Sequence, residues 1–209
     1  MREVDPKTTS RAKAFELWMK ATMPMVTMTK TYDITHLRRV AKRRGVKLNM
    51  LMCYAVVRAA SSFKEFYMLP VGDKLMEFDN LAINTIVMTK DGGINTCDVP
   101  YSEDIKQFEA DYLRLTREAS LSDKEINLDD SYMVIGSSAL TKCELDSVVN
   151  VYAGFWNNPF VVWSKYRKGW WFKTTLSLSF QFHHTQMDGP ISTGFLNRLQ
   201  EVMNEIDYR

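Results

Sequence analysis

The chain has 209 residues, 45% hydrophobic and 25% charged, with 27 cationic and 25 anionic side chains giving a formal charge of +2. That balance excludes a disordered chain and gives no bulk attraction to nucleic acid or acidic membranes, so any charged patch has to be local. The three cysteines, Cys53, Cys97 and Cys143, are far apart and lack a C-x-x-C pair, which argues against a disulfide framework or a cysteine zinc site and suits a reducing compartment.

The N-terminal MREVDPKTTSR has no apolar stretch of a secretory leader, and no apolar run approaches the length of a membrane span, so a cytoplasmic location is expected. Ser10 is a candidate cap for a first helix whose apolar face is Ala14, Phe15, Leu17, Trp18 and Met19 and which Pro24 ends. TMTKTYDIT has the Thr and Tyr content of a strand. A helix capped by Asp33 or Thr35 then runs through Leu37, Val40 and Ala41 to Gly45, and a third, near Asn49, carries LMCYAVVRAASSF, apolar on most sides and therefore buried.

From Lys74 the pattern becomes strand-like: LMEFDN, LAINTIVMT, an Asp91-Gly92-Gly93 turn, and INTCDV. Ile105, Phe108, Tyr112 and Leu115 recur at helical spacing, with acidic residues expected in the first turn. SYMVIGSSAL, NPFVVWSKY and WWFKTTLSLSFQF read as strands, the last two joined by a hairpin at Arg167-Lys168-Gly169. Ile191, Phe195, Leu199, Val202 and Ile206 mark a terminal helix. No linker or repeat divides the chain, so residues 1–209 read as one mixed α/β domain, without the Gly-rich fingerprints of a nucleotide fold.

Two of the chain's three histidines, His183 and His184, stand side by side at the end of the last strand, with Asp188 and Gly189 just beyond. Neighbouring strand residues face opposite ways, so Phe182 and His184 share one face and His183 the other. As metal ligands the pair diverges and no third donor converges, so no metal site is expected. The residues alone leave open whether the pair is hydrogen-bonded core or contains a general base, for which an imidazole of pKa about 6.5 is suited. The run Arg38-Arg39-Val40-Ala41-Lys42-Arg43-Arg44 is the densest positive segment; on a helix it spreads over the solvated arc, and no nucleic-acid partner is expected.

The heptad His183 to Gly189 resembles the H-H-x-x-x-D-G signature of the chloramphenicol acetyltransferases, related to that of the dihydrolipoyl acyltransferases. The likeness spans nearly the whole chain: Arg11 to Glu16 as R-x-x-x-F-E, Asp33-Ile34-Thr35 as D-I-T, Pro100-Tyr101-Ser102 with Asp104-Ile105 and Phe108 as P-Y-S-x-D-I-x-x-F, Ser138-Ala139-Leu140, Pro159 with Lys165-Tyr166, and Phe195 through Gln200. The resemblance implies an α/β (α+β) two-layer sandwich with a mixed sheet, acting as a homotrimer with sites between subunits. It implies acetyl-CoA as cosubstrate, a small hydroxyl acceptor, and direct acyl transfer with no metal. By the same resemblance His184 is the general base, Asp188 and Arg11 pair to hold its loop, and Ser138 donates to the oxyanion. Tyr166, Lys165 and Lys47 fall at coenzyme A positions. Leu17, Trp18, Val26 and Val162 fall at acceptor-pocket positions where this chain departs from the family's usual residues, leaving the acceptor open: chloramphenicol, another hydroxyl compound, or none in a silent coenzyme A-binding protein.

Overall fold

The structure, a computed structural model, describes residues 1–208. In chain order its main elements are β1 (Arg2–Val4), α1 (Ala12–Trp18), β2 (Met25–Asp33), α2 (Thr35–Arg44), α3 (Leu48–Ala60), β3 (Met68–Val71), β4 (Lys74–Glu77), β5 (Asn80–Met88), β6 (Ile94–Pro100), α4 (Ile105–Leu121), β7 (Tyr132–Leu140), β8 (Phe160–Ser164), β9 (Arg167–Lys168), β10 (Thr174–His183) and α5 (Gly189–Glu205). Among the described residues the strands form a three-stranded sheet, β1-β4-β3, and a seven-stranded sheet ordered β2-β10-β8-β7-β5-β6 with β9 paired to β10. β7 runs parallel to both β5 and β8, and the other neighbours are antiparallel, so the large sheet is mixed.

Strand alternation gives this sheet two unlike faces. Leu178, Phe180 and Phe182 of β10, Val161 and Trp163 of β8, Ile135 of β7 and Ile83 of β5 are buried in one hydrophobic core with the helices. α3 is that core's centre: all its residues except Leu48, Asn49 and Arg58 are buried, as its all-round apolar sequence requires. α5 adds Phe195, Leu199 and Val202, and α4 adds Phe108, Tyr112 and Leu115. α2 buries Leu37, Val40 and Ala41, sends Arg39, Lys42, Arg43 and Arg44 to solvent, and ends at Gly45 with φ +70°, the left-handed cap that a residue without Cβ adopts freely.

The opposite face is polar. It presents Ser177, Ser179, Gln181 and His183 of β10, with Ser138 of β7 level with Val162 of β8. The segment joining β7 to β8 lies over it: Val148 N–H donates to Ser179 Oγ at 2.9 Å, and Gln181 Nε2 donates to the Asn150 carbonyl at 3.0 Å. The result is a two-layer sandwich, helices against one face of a mixed sheet.

Several local expectations need correction. α1 starts after Arg11, whose N–H is taken by Thr9 Oγ1 at 3.0 Å, so Ser10 is not its cap, and none of its residues is fully buried. α2 has no side-chain cap at its first residue, although Asp33 Oδ1 accepts from Thr35 N–H at 2.9 Å. Asp104 stands at the N-cap of α4, accepting from Lys106 N–H, rather than within its first turn. Trp170-Trp171-Phe172 is a turn between β9 and β10 instead of strand; Trp171 and Phe172 take φ of 57° and 62°, and all three rings are exposed. The short β1 and β3 gave no sequence signal, because each exists by pairing with β4; Pro70, lacking an N–H, sits in β3 at that small sheet's edge.

Gly136 lies where a Cβ would penetrate the Phe160 ring on the neighbouring strand. Gly136→Ala should therefore cost about 1–3 kcal/mol by overpacking. Urea unfolding will show this as a lowered midpoint that a second change, Phe160→Leu, restores.

Candidate active site

His183 closes β10 opposite Met25, points away from Phe182, and is 2% exposed. Its Nδ1 accepts the Thr185 N–H at 3.1 Å, so the neutral ring carries its proton on Nε2. Burial, and secondarily the charge of His184, push its pKa down to about 4. A ring so reluctant to charge and already hydrogen-bonded is a structural part of the loop.

His184 is the first residue past the strand. Its N–H donates to the Pro24 carbonyl at 2.8 Å, which continues the pairing with β2, and its ring stacks on Trp18 of α1 with centroids 4.5 Å apart and planes 8° from parallel. Nδ1 is buried without a hydrogen-bond partner, and no described residue hydrogen-bonds to the other nitrogen. The ring is held by stacking and by its backbone, and its chemistry is left unspent.

Arg11 supplies the backbone clamp. Only 2% exposed, it donates from Nε to the Thr185 carbonyl at 2.9 Å, from Nη2 to the His184 carbonyl at 3.1 Å, and from Nη1 to Asp188 Oδ2 at 3.0 Å. Asp188 precedes α5, caps it with no side-chain hydrogen bond, and keeps its carboxylate 41% exposed. Gln186 ties the same loop to the small sheet by donating to the Met68 carbonyl at 2.8 Å. From His184 to Asp188 the loop is thus held by Arg11 donating to His184, Thr185 and Asp188, by the Met68 carbonyl accepting from Gln186 and by Trp18 stacked on the His184 ring, while Met187 is buried in the core.

The remaining predicted site residues fall into three places. Leu17 is exposed beside Trp18, whereas Val26, level with Phe182, lies on the helix-covered side of the sheet. Ser138 is half-buried, and its hydroxyl makes no hydrogen bond to a described residue, while its neighbour Ser137, facing the other way, donates to the Asn84 carbonyl at 2.7 Å. Ser138 is level with Val162 and Ser179, and His184 lies five residues farther along β10. At about 3.3 Å per residue and about 4.8 Å per strand, Ser138 and His184 of one chain are roughly 19 Å apart. Tyr166 has the Arg38 guanidinium over its ring at 4.9 Å, next to exposed Lys165; Lys47 stands apart at the start of α3, beyond the far end of α2 from Arg38.

A cavity of about 610 Å³ occupies the polar face. Gly136, Phe160, Gln181, Asn84 and Asp98 form its floor from five adjacent strands, and Phe155 and Trp156 of the β7–β8 segment form a wall. Sequence reading missed these residues: the alternation in INTCDV was visible, but not which parity faced the opening. Among the described residues no group of three or more His, Cys, Asp and Glu side chains is placed to hold a metal, and no helix is long and apolar enough to cross a membrane.

A solved structure described as chloramphenicol acetyltransferase superposes with a TM-score of 0.84 at 20% identity, covering 97% of this chain and 99% of that one. A probable dihydrolipoamide acetyltransferase from Listeria monocytogenes gives 0.70 at 15% identity, covering 98% and 94%. The fold is that of the CoA-dependent acyltransferases. Chloramphenicol acetyltransferase 3 of Escherichia coli is 28% identical over 207 residues, 96% of this chain and 95% of that one, and a family model described as chloramphenicol acetyltransferase matches residues 1–200. The chain belongs to the chloramphenicol acetyltransferase family, and it is an acyltransferase.

Two outcomes follow from the loop. Above pH about 6.5 His183 is neutral folded or unfolded; between about 6.5 and 4 the unfolded chain takes up a proton that the native ring refuses, so stability falls by about 2–3 kcal/mol as pH drops through that window. His183→Asn, whose Oδ1 still accepts from Thr185, should flatten that slope in denaturant titrations at each pH. Arg11→Ala orphans two carbonyls and a carboxylate and should lower stability by about 2–4 kcal/mol, against about 1 kcal/mol for Asp188→Asn, whose carboxylate is partly solvated.

Proposed function

We propose that the protein transfers the acetyl group of acetyl-CoA to a hydroxyl of a small acceptor, with His184 as general base. The observation that carries this is the state of the His184 ring: stacked on Trp18, its backbone clamped by Arg11, and with neither nitrogen hydrogen-bonded among the described residues. In this reading the ring takes the acceptor's proton as its oxygen bonds to the thioester carbonyl carbon. The tetrahedral oxyanion collapses with loss of the C–S bond, and the proton passes to the departing sulfur, giving ester and free CoA thiol. Such base assistance is worth about 10² to 10⁴ in rate.

Ser138 is the oxyanion donor in this scheme. Its hydroxyl has no partner among the described residues, and donors of this kind contribute about 10² to 10³. The roughly 19 Å between Ser138 and His184 of one chain supports a site built between copies, His184 from one and Ser138 from the next, as a homotrimer arranges. Tyr166, Lys165 and Lys47 serve coenzyme A, the two lysines toward its phosphates; Leu17, Trp18 and Val162 border the reacting groups, and Val26 supports them from beneath. The domain is the whole chain, and the free thiols of Cys53, Cys97 and Cys143 favour a cytoplasmic setting.

Release of CoA thiol from acetyl-CoA with a panel of hydroxyl compounds, chloramphenicol among them, tests the reading. His184→Ala should lower turnover at least a hundredfold with the oligomer intact, and unchanged turnover refutes the assigned base. Mixing separately inactive His184→Ala and Ser138→Ala chains during refolding should restore activity to about a quarter of the sites if each site draws on two copies. No recovery places both groups in one chain's site and ends the shared-site scheme.

A further inference from the structure

The cavity on the polar face has a chemical bias that its position does not demand. Asp98 and Glu125 line it, and among the described residues no lysine, arginine or histidine does. Asp98 is 5% exposed; one carboxylate oxygen accepts from Asn84 Nδ2 at 2.8 Å and the other from Leu128 N–H at 3.1 Å. Those donors are neutral, and neither Asp98 nor Glu125 has an ion-pair partner among the described residues. Burying a carboxylate without a countercharge costs several kcal/mol that two hydrogen bonds only partly offset. The missing countercharge has room to enter, because about 610 Å³ holds a drug-sized molecule.

The cavity is joined to the proposed chemistry by strand register. Gly136 and Phe160 are opposite one another on its floor, and Ser138 and Val162 are the next pair on the same face. Gln181 and Met25 bring the floor to the level of His183. Above it the rings of Phe155 and Trp156, 73% and 68% exposed, stand edge to face with centroids 6.4 Å apart, an aromatic wall suited to a ring or a cation. Amide side chains, Asn84 and Gln181 on the floor and Asn127 and Asn158 at the rim, offer both donors and acceptors to hydroxyls.

We infer that this cavity receives a hydroxylated acceptor bearing an ammonium group, seated toward Asp98 and Glu125, in preference to a neutral one. The inference rests on the acetyl-transfer reading for its orientation: the ammonium end sits at the β6 side and an acceptor hydroxyl points along the face toward Ser138. A neutral amide in the same place leaves the Asp98 charge uncompensated, and a carboxylate-bearing acceptor is repelled.

Matched pairs test it. Chloramphenicol is compared with its free amine, which keeps the diol and nitrophenyl ring but carries an ammonium, and N-acetylglucosamine with glucosamine. Equilibrium dialysis against the intact protein, which needs no turnover, should show the ammonium member of each pair binding at least about tenfold tighter, and Glu125→Gln should shrink that ratio several-fold. Glu125 is exposed, so its replacement leaves the fold undisturbed. Asp98→Asn should abolish the preference, with thermal unfolding checked because only one of the Asn84 and Leu128 donors keeps an oxygen acceptor. Equal or tighter binding of the neutral members, or no binding of either ammonium compound, overturns the inference. Thiol release in the same samples separates the two ideas: ammonium preference without turnover sinks the acetyl transfer and keeps the cationic site, whereas turnover of neutral acceptors alone does the reverse.

Discussion

A single buried guanidinium organises this site. A guanidinium has five N–H donors and no acceptor, so holding Arg11 2% exposed requires acceptors in its plane, and the chain supplies three: two consecutive loop carbonyls and one carboxylate. Because Asp188 remains 41% exposed, much of its charge is screened and the pair's net stabilisation is modest. The larger consequence is geometric. Once the carbonyls of His184 and Thr185 are fixed to one rigid fork, the backbone carrying the imidazole has no freedom to turn. A lysine, a point charge on a flexible stem, spans no such set of acceptors.

The sheet then divides the labour between neighbours of nearly equal chemistry. Ser137 and Ser138 differ only in parity, yet one donates to the Asn84 carbonyl and the other, on the opposite face, has a hydroxyl with no partner among the described residues. His183 and His184 divide similarly. The first is buried, neutral and committed through Nδ1 to its own loop; the second, one residue beyond the strand, escapes that alternation and rests on Trp18. Burial depresses the pKa of His183, the histidine whose ring is committed to holding the loop.

What was legible in the sequence follows from how locally each feature is determined. α3, α4 and α5 announced themselves through helical recurrence, and Gly45 marked the end of α2, because apolar spacing and a left-handed cap are decided within a few residues. Trp170 to Phe172 read as strand from their aromatic content, but the close joining of β9 to β10 demands a turn there and overrides propensity. At the site, the histidine heptad was visible in one stretch. The Arg11–Asp188 contact joins residues at opposite ends of the chain, so no periodicity carries it and only family resemblance suggested it. Asp98 was hidden differently: in INTCDV it looks like an interruption of a strand, and only the pairing of β6 with β5 shows that it faces an opening beside Asn84.

The same pairing explains why the polar face remains uncovered by helices. A face bearing Ser177, Ser179, Gln181, Asn84 and Asp98 gains nothing from an apolar helix, so the β7–β8 segment crosses it on hydrogen bonds from Val148 and Gln181 and leaves the rest open. That segment presents Val149, Val151, Phe155 and Trp156 outward, each more than two-thirds exposed. An open polar sheet face thus lies beside an exposed apolar rim. On the reading that His184 and Ser138 belong to one shared site, a second copy of the chain would both cover this rim and bring the Ser138 hydroxyl within reach of an imidazole that lies roughly 19 Å away along its own sheet.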